Sequence, residues 1–180
     1  MFYCFLADGF EETEALAPVD ILRRAGIEVK TVGVGGYVIR GSHNIFVNAD
    51  MNIDDLALGG DTEGVILPGG MPGVKNLFAE QRVKDAVTES VSRGALVCAI
   101  CAAPMILGRM GVLDGKKATC FPGFEGDLLG AEVFSDKVVT DGNIITSKGA
   151  GCALDFGFAI VAAVKGSEEA EKIASSMQCR

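Results

Sequence analysis

Residues 94–110 read Gly-Ala-Leu-Val-Cys-Ala-Ile-Cys-Ala-Ala-Pro-Met-Ile-Leu-Gly-Arg-Met. An apolar run is followed by a cysteine among small residues and then by Pro104, a residue suited to the first turn of a helix. Strand, turn and helix in that order make a nucleophile elbow, in which a tight turn projects one reactive side chain over the edge of a sheet. Cys101 occupies the turn. Free backbone N–H groups and a helix dipole at such a place favour a thiolate and would hold an oxyanion or a sulfinate. That help matters, because an unperturbed thiol with a pKa of about 8.5 is only about 3% ionised at neutral pH. Two other readings of these residues stay open. Cys101 can be a small apolar residue ending a strand, or Cys98 and Cys101 can be a redox CxxC pair, which needs both thiols at a helix start although Cys98 lies inside the run Leu96 to Ile100.

Two further segments carry chemistry of the same kind. Leu67-Pro68-Gly69-Gly70-Met71-Pro72-Gly73 follows an apolar run and lets backbone N–H groups approach a ligand closely, or is only a tight turn. Asp8-Gly9-Phe10-Glu11-Glu12-Thr13-Glu14 puts three glutamates after the first apolar run, where one could face the thiol. The ordinary reading for Glu11 and Glu12 is a solvated acidic first turn.

Residues so far apart in sequence act together only if a rigid frame brings them to one edge. Phe2 to Leu6, Glu28 to Val34, Gly64 to Leu67 and Ala95 to Ile100 are short apolar, β-rich runs that alternate with helical stretches. The alternation predicts a mainly parallel sheet with helices on both faces, whose sites lie at the carboxyl ends of the strands. Glu80 to Arg93 spaces Val83, Val87 and Val91 four apart and is predicted as a helix stopped by Gly94. Gly35 to Asp50 reads as a hairpin of structural role attached to the main sheet. Ala153 to Ser176 reads as two helices broken at Gly166-Ser167, with Ser167 as a cap. No linker or repeat divides the chain, so residues 1–180 are expected to form one domain.

Composition narrows the partners. Sixteen basic against 24 acidic residues give a net charge of -8, which opposes binding to nucleic acid or to an anionic membrane surface. The most apolar late segment, Phe156 to Val164, is about half of what a bilayer span needs, and no targeting segment is read at the N-terminus. Six cysteines in a chain that is 49% hydrophobic suggest reduced thiols in an ample core and a cytoplasmic setting, not a disulfide framework. Zinc is disfavoured, since Cys98 and Cys101 have no second CxxC pair and the single histidine, His43, is far from them in sequence.

Taken in order, Gly9-Phe10-Glu11-Glu12-Thr13-Glu14, Pro18-Val19-Asp20, Arg23-Arg24-Ala25-Gly26, Leu67-Pro68-Gly69-Gly70 and Ala99-Ile100-Cys101-Ala102 resemble the ThiJ/PfpI superfamily, in the branch of the parkinsonism-associated protein deglycase. The resemblance runs from Phe2 to about Gly166. It implies a flavodoxin-like three-layer sandwich, related to the class I glutamine amidotransferase-like fold, and usually a homodimer. It implies Cys101 as the reactive thiol, Glu14 as its partner carboxyl, and the N–H groups of Gly70 and Ala102 as an anion hole, with Gly69, Cys120 and Phe121 as pocket lining. One departure is visible: Phe121 stands where several members carry a histidine, which weakens a peptidase or amidase reading and favours a Cys-Glu site. His43, in the hairpin, is expected at the surface or at a subunit contact.

The implied activity is a cofactor-free, metal-free glyoxalase or deglycase acting on 2-oxoaldehydes such as methylglyoxal or on their early adducts. The alternative is a non-enzymatic sensor or chaperone of oxidative stress that works through oxidation of Cys101.

Overall fold

The computed structural model describes residues 1–179. The chain begins with β1 (Phe2–Ala7), turns through α1 (Glu12–Arg24) and returns as β2 (Val29–Val34). Strands β3 (Val38–Arg40) and β4 (Phe46–Asn48) form a separate antiparallel hairpin before β5 (Met51–Asn52) rejoins the main sheet. Then come β6 (Gly64–Leu67), α2 (Gly73–Ala79), α3 (Gln81–Ser92), β7 (Leu96–Ile100) and α4 (Pro104–Arg109). A short ladder of β8 (Lys117–Ala118) and β9 (Glu132–Val133) precedes β10 (Val138–Asp141), β11 (Ile144–Ser147), α5 (Ala153–Lys165) and α6 (Ser167–Ser176).

Among the described residues the main sheet has seven strands in the order β10-β11-β7-β6-β1-β2-β5. It is parallel except at the edge, where β10 runs antiparallel to β11. The strand period of two divides the core between the two faces. On β1, Phe2, Cys4 and Leu6 point to α1, α5 and α6, whereas Tyr3, Phe5 and Ala7 point to α2, α3 and α4. Burial on both faces explains why β1, β6 and β11 read as unbroken apolar or small-residue runs. The expected three-layer, mainly parallel sandwich is therefore the observed one.

Several local expectations need correction. The hairpin pairs only with itself: β3 and β4 form a separate two-stranded sheet, and it is β5 after them that adds to β2. Helix α6 is capped by Gly166, at φ +89°, and Ser167 is already helical, so the break is made by glycine and not by a serine cap. The buried stripe of α3 is Val83, Ala86, Val87 and Ser90, while Val91 reaches solvent. Pro18, whose place was undecided from sequence, lies inside α1 and leaves the Glu14 carbonyl without its regular helical donor.

Phe156 on α5 is fully buried among the residues that join α1 to the sheet. Phe156→Ala is expected to cost about 3–5 kcal/mol, seen as a lower urea midpoint at an unchanged m value.

Candidate active site

Cys101 follows the last residue of β7 and holds φ +66°, a conformation that costs a non-glycine residue about 1–3 kcal/mol. Two hydrogen bonds fix the strained peptide from either side: Cys101 N–H donates to the Ser147 carbonyl and Phe121 N–H donates to the Cys101 carbonyl, each at 2.8 Å. Pro104 opens α4 three residues later, as its spacing predicts. Cys98, in contrast, is fully buried inside β7, and burial pushes its thiol strongly upward. Among the described residues all six cysteines are free thiols. The thiol of Cys101 is thus turned off the strand that holds Cys98, which removes the CxxC reading.

Glu14, 1% exposed, comes from the first turn of α1 and meets Cys101 in a side-chain hydrogen bond. Its Oε2 accepts from Gly69 N–H at 2.9 Å, and the Ala150 N–H adds a second backbone donor. A Cβ on Gly69 would collide with Glu14 Oε2 and stand 2.6 Å from Cys101 Cβ and 3.1 Å from Sγ. Glycine at 69 is therefore what lets the loop close over both groups. Gly70, at φ +91°, lies so tightly against Gly9 and Phe10 that a Cβ would strike their backbone. Its N–H and that of Ala102 face the sulfur and favour its anion.

The two acids share a small buried space. Burial pushes the Glu14 carboxyl up to about 7 against the donors that favour its charge. Burial first, and then the Glu14 charge, push the Cys101 thiol up to about 12, outweighing the N–H groups of Ala102 and Gly70. N–H groups and a helix start do not by themselves make a thiolate here. α4 is a single short helix, and an ionised Glu14 opposes the thiolate. Once Glu14 carries its proton, that repulsion is gone and its O–H becomes a donor to sulfur. The pair therefore takes up its first negative charge around pH 7 and does not carry two near neutrality.

Glu11 and Glu12 are not solvated first-turn residues. Glu11 is the N-cap of α1, its carboxylate accepting from Glu14 N–H at 2.7 Å, so it fixes the backbone from which Glu14 reaches the thiol. Glu12 is 5% exposed and ties α1 to the hairpin, accepting from His43 N–H at 2.7 Å, from His43 Nδ1 at 2.8 Å and from Ser42 Oγ at 3.2 Å. Burial works against its charge, but these donors prevail and hold its carboxyl down at about 2. His43 itself is exposed, as expected, and the Glu12 carboxylate raises it. Ligand atoms of Glu11, Glu12 and His43 lie within 4.8 Å of one another, yet the Glu12 oxygens are already occupied by His43 and Ser42.

On the other side of the thiol, the Phe121 ring packs against Gly149, whose Cβ position is 3.8 Å from Glu14 Oε1. Cys120 is buried, and burial pushes its thiol up to about 11; it borders a neighbouring cleft with Pro122 and Phe134. Sequence reasoning missed Gly149 and Ala150, which follow β11. The available signal was the β-rich run Ile144 to Ser147 followed by Lys148-Gly149-Ala150-Gly151, the same strand-then-glycine punctuation as at 67–70.

The model of the DJ-1/PfpI family matches residues 2–163. Protein dj-1beta of Drosophila melanogaster is 35% identical over 175 residues, covering 96% of this chain and 93% of its own. A deglycase of Pyrococcus abyssi is 33% identical over 144 residues, 79% of this chain and 86% of its own. The solved structure of oxidized Toxoplasma gondii DJ-1 superposes with a TM-score of 0.91 at 28% identity, over 98% of this chain and 97% of that one.

The Glu12 tether has a defined pH range. A carboxyl lowered to about 2 contributes stability above its ordinary value of 4.5, and loses it as pH falls toward 2. A raised His43 contributes below its ordinary value of 6.5 and loses its share as pH rises through the raised value. Glu12→Ala is expected to cost about 1–3 kcal/mol near neutral pH through lost charged hydrogen bonds. Urea titrations across pH should show that deficit shrinking toward about pH 2.

Proposed function

The chain belongs to the DJ-1/PfpI family, as its ThiJ/PfpI resemblance implied, and on that premise we propose that it is a cofactor-free enzyme acting on 2-oxoaldehydes such as methylglyoxal, or on their early adducts, through Cys101 and Glu14. The observation that carries the reading is the hydrogen-bonded contact between a strained, partly accessible thiol and a buried carboxyl titrating near neutrality, under the N–H groups of Gly70 and Ala102. The deglycase relative from Pyrococcus abyssi supports the same class of chemistry.

The chemistry balances without an external oxidant. The Cys101 thiolate forms an S–C bond to the aldehyde carbon while Glu14 gives its proton to the carbonyl oxygen, producing a hemithioacetal. The developing oxyanion is held by Gly70 and Ala102 N–H groups. Glu14, now a carboxylate, takes the proton from that carbon, and the electron pair moves to the neighbouring ketone. Protonation at the former ketone carbon by Glu14, with the hydroxyl proton of the sulfur-bearing carbon passing to the neighbouring oxygen, leaves a thioester of a 2-hydroxy acid. Water then cleaves the S–C bond, releases lactate from methylglyoxal and restores the thiol. One carbon is oxidised and its neighbour reduced, so nothing else is consumed.

The reading extends to a homodimer of single-domain chains in the cytoplasm, where thiols stay reduced. Tyr37, Val38, Ile45 and Phe46 on and beside the β3-β4 hairpin are exposed, Phe46 at 65%, and form the face through which two copies would meet. No helix among the described residues is long and apolar enough to cross a membrane. A second reading has its own support in the oxidized state of the Toxoplasma relative. Two peroxide molecules, each reduced to water, would convert Cys101 to a sulfinate held by Glu14 and the same N–H groups. Such a sensor is consumed once per chain, whereas an enzyme turns over.

Product analysis with methylglyoxal is the test. Cys101→Ser is expected to abolish turnover, and folded Glu14→Gln to lower it by about 10² to 10⁴, because an amide keeps a donor but cannot transfer the proton. Full activity in folded Glu14→Gln removes the mechanism. The reactive form is the tautomer of the singly ionised pair with its charge on sulfur, so kcat/KM is expected to rise with pH through about 7 and then level off.

A further inference from the structure

Beside the Cys101-Glu14 pair lies a cleft of about 400 Å³ lined by Phe121, Pro122, Lys137, Lys148 and the segment 149–152. Gly149 joins the two places, since it touches the Phe121 ring on one side and comes within 3.8 Å of Glu14 Oε1, measured from its Cβ position, on the other. In a chain of net charge -8, the residues lining this cleft include two lysines and no acidic residue.

The two lysines are not equivalent. Lys137 is exposed and already has an acidic neighbour, Asp155, at 3.3 Å. Lys148 is half-buried, and its ammonium makes one hydrogen bond, to the Ser135 carbonyl at 3.1 Å. Among the described residues no carboxylate pairs with it. Glu125, which borders the adjoining cleft, accepts from Gly123 N–H instead. An ammonium has three donors, so two remain for a ligand. Its backbone leaves little freedom to withdraw: Ser147, the preceding residue, accepts the Cys101 N–H, and Lys148 N–H is bonded to the Lys137 carbonyl.

The Lys148 ammonium sits at the solvent-facing side of the cleft with no carboxylate partner among the described residues, so its charge is free to meet an incoming anion. We propose that Lys148 binds the anionic end of the substrate, and that the preferred substrates are reactive aldehydes carrying a carboxylate or a phosphate, their carbonyl end directed to Cys101. The apolar wall of the cleft, the Phe121 ring, would cover the carbon chain between the two ends. The inference rests on the reading of Cys101 as a carbonyl nucleophile, but the anion site itself can be tested without turnover.

Iodoacetate and iodoacetamide differ by one negative charge and alkylate the same thiol. The ratio of their rate constants at Cys101, followed by peptide mass spectrometry, therefore reports the charge the site offers an incoming anion. Lys148→Gln is expected to lower the iodoacetate to iodoacetamide ratio by about threefold or more, the effect of one unit charge acting within roughly a Debye length. Lys148→Arg should restore most of it, and Lys137→Gln, which removes a charge already paired, should change it less. An unchanged ratio in folded Lys148→Gln overturns the proposal.

Protection from iodoacetamide identifies the anion. Glyoxylate and glycolaldehyde phosphate are expected to protect Cys101 at lower concentration than uncharged glycolaldehyde, and the stronger of the two tells carboxylate from phosphate. Equal protection by all three, with Lys148→Gln unaltered, contradicts the proposal. A ratio that falls in Lys148→Gln while no aldehyde protects keeps the anion site and removes the carbonyl chemistry instead.

Discussion

Two acidic groups placed side by side out of water cannot both be ionised, and the site described above is organised around that constraint. Cys101 and Glu14 share a hydrogen bond inside a pocket roofed by the Gly69-Gly70 loop, so a charge on one raises the cost of a charge on the other. Everything nearby maintains this closeness. Gly69 lacks the Cβ that would separate the pair, Glu11 caps the helix that carries Glu14, and the Ser147 carbonyl and Phe121 N–H hold Cys101 in its left-handed conformation. Folding pays the strain at Cys101 from the burial of a two-faced sheet, and the return is a thiol aimed away from its own strand.

The parallel sheet makes the meeting possible. Loops after β1, β6, β7 and β11 all leave from carboxyl ends, so Glu14, Gly69 and Gly70, Cys101 and Ala102, and Gly149 and Ala150 arrive at one edge from four separate stretches of chain. The hairpin reaches the same edge by another route, since the buried Glu12 carboxylate anchors Ser42 and His43 to the start of α1. That tether gives the hairpin a part in supporting the site beyond the structural role expected of it, because Glu12 and Glu14 sit on the same helical turn.

Much of the frame was legible in the sequence because hydrophobic period and glycine placement are local signals. The run Gly64 to Leu67 is a strand to the residue, Gly94 ends its helix at φ +71°, and the small residues around Cys101 mark the elbow. What stayed hidden depends on distance through space. Glu12 looks like any acidic first-turn residue until a hairpin some thirty positions away supplies its donors. The balance of charge at Cys101 is not a local signal either: the turn shows helpful N–H groups, while the opposing carboxyl comes from another strand's loop. The Gly149 and Ala150 contacts needed β10 and β11, whose short strands carry a weak pattern.

The claim on which the account turns is that burial keeps the Glu14 carboxyl protonated up to neutral pH beside the thiol. Difference infrared spectra between wild type and Glu14→Gln, recorded from about pH 5 to 9, isolate the protonated C=O band of this one side chain. The account predicts that the band persists above the ordinary carboxylate range and is lost only around pH 7. A carboxyl already fully ionised near pH 5 would contradict the shared proton and, with it, the proposed division of labour between Cys101 and Glu14.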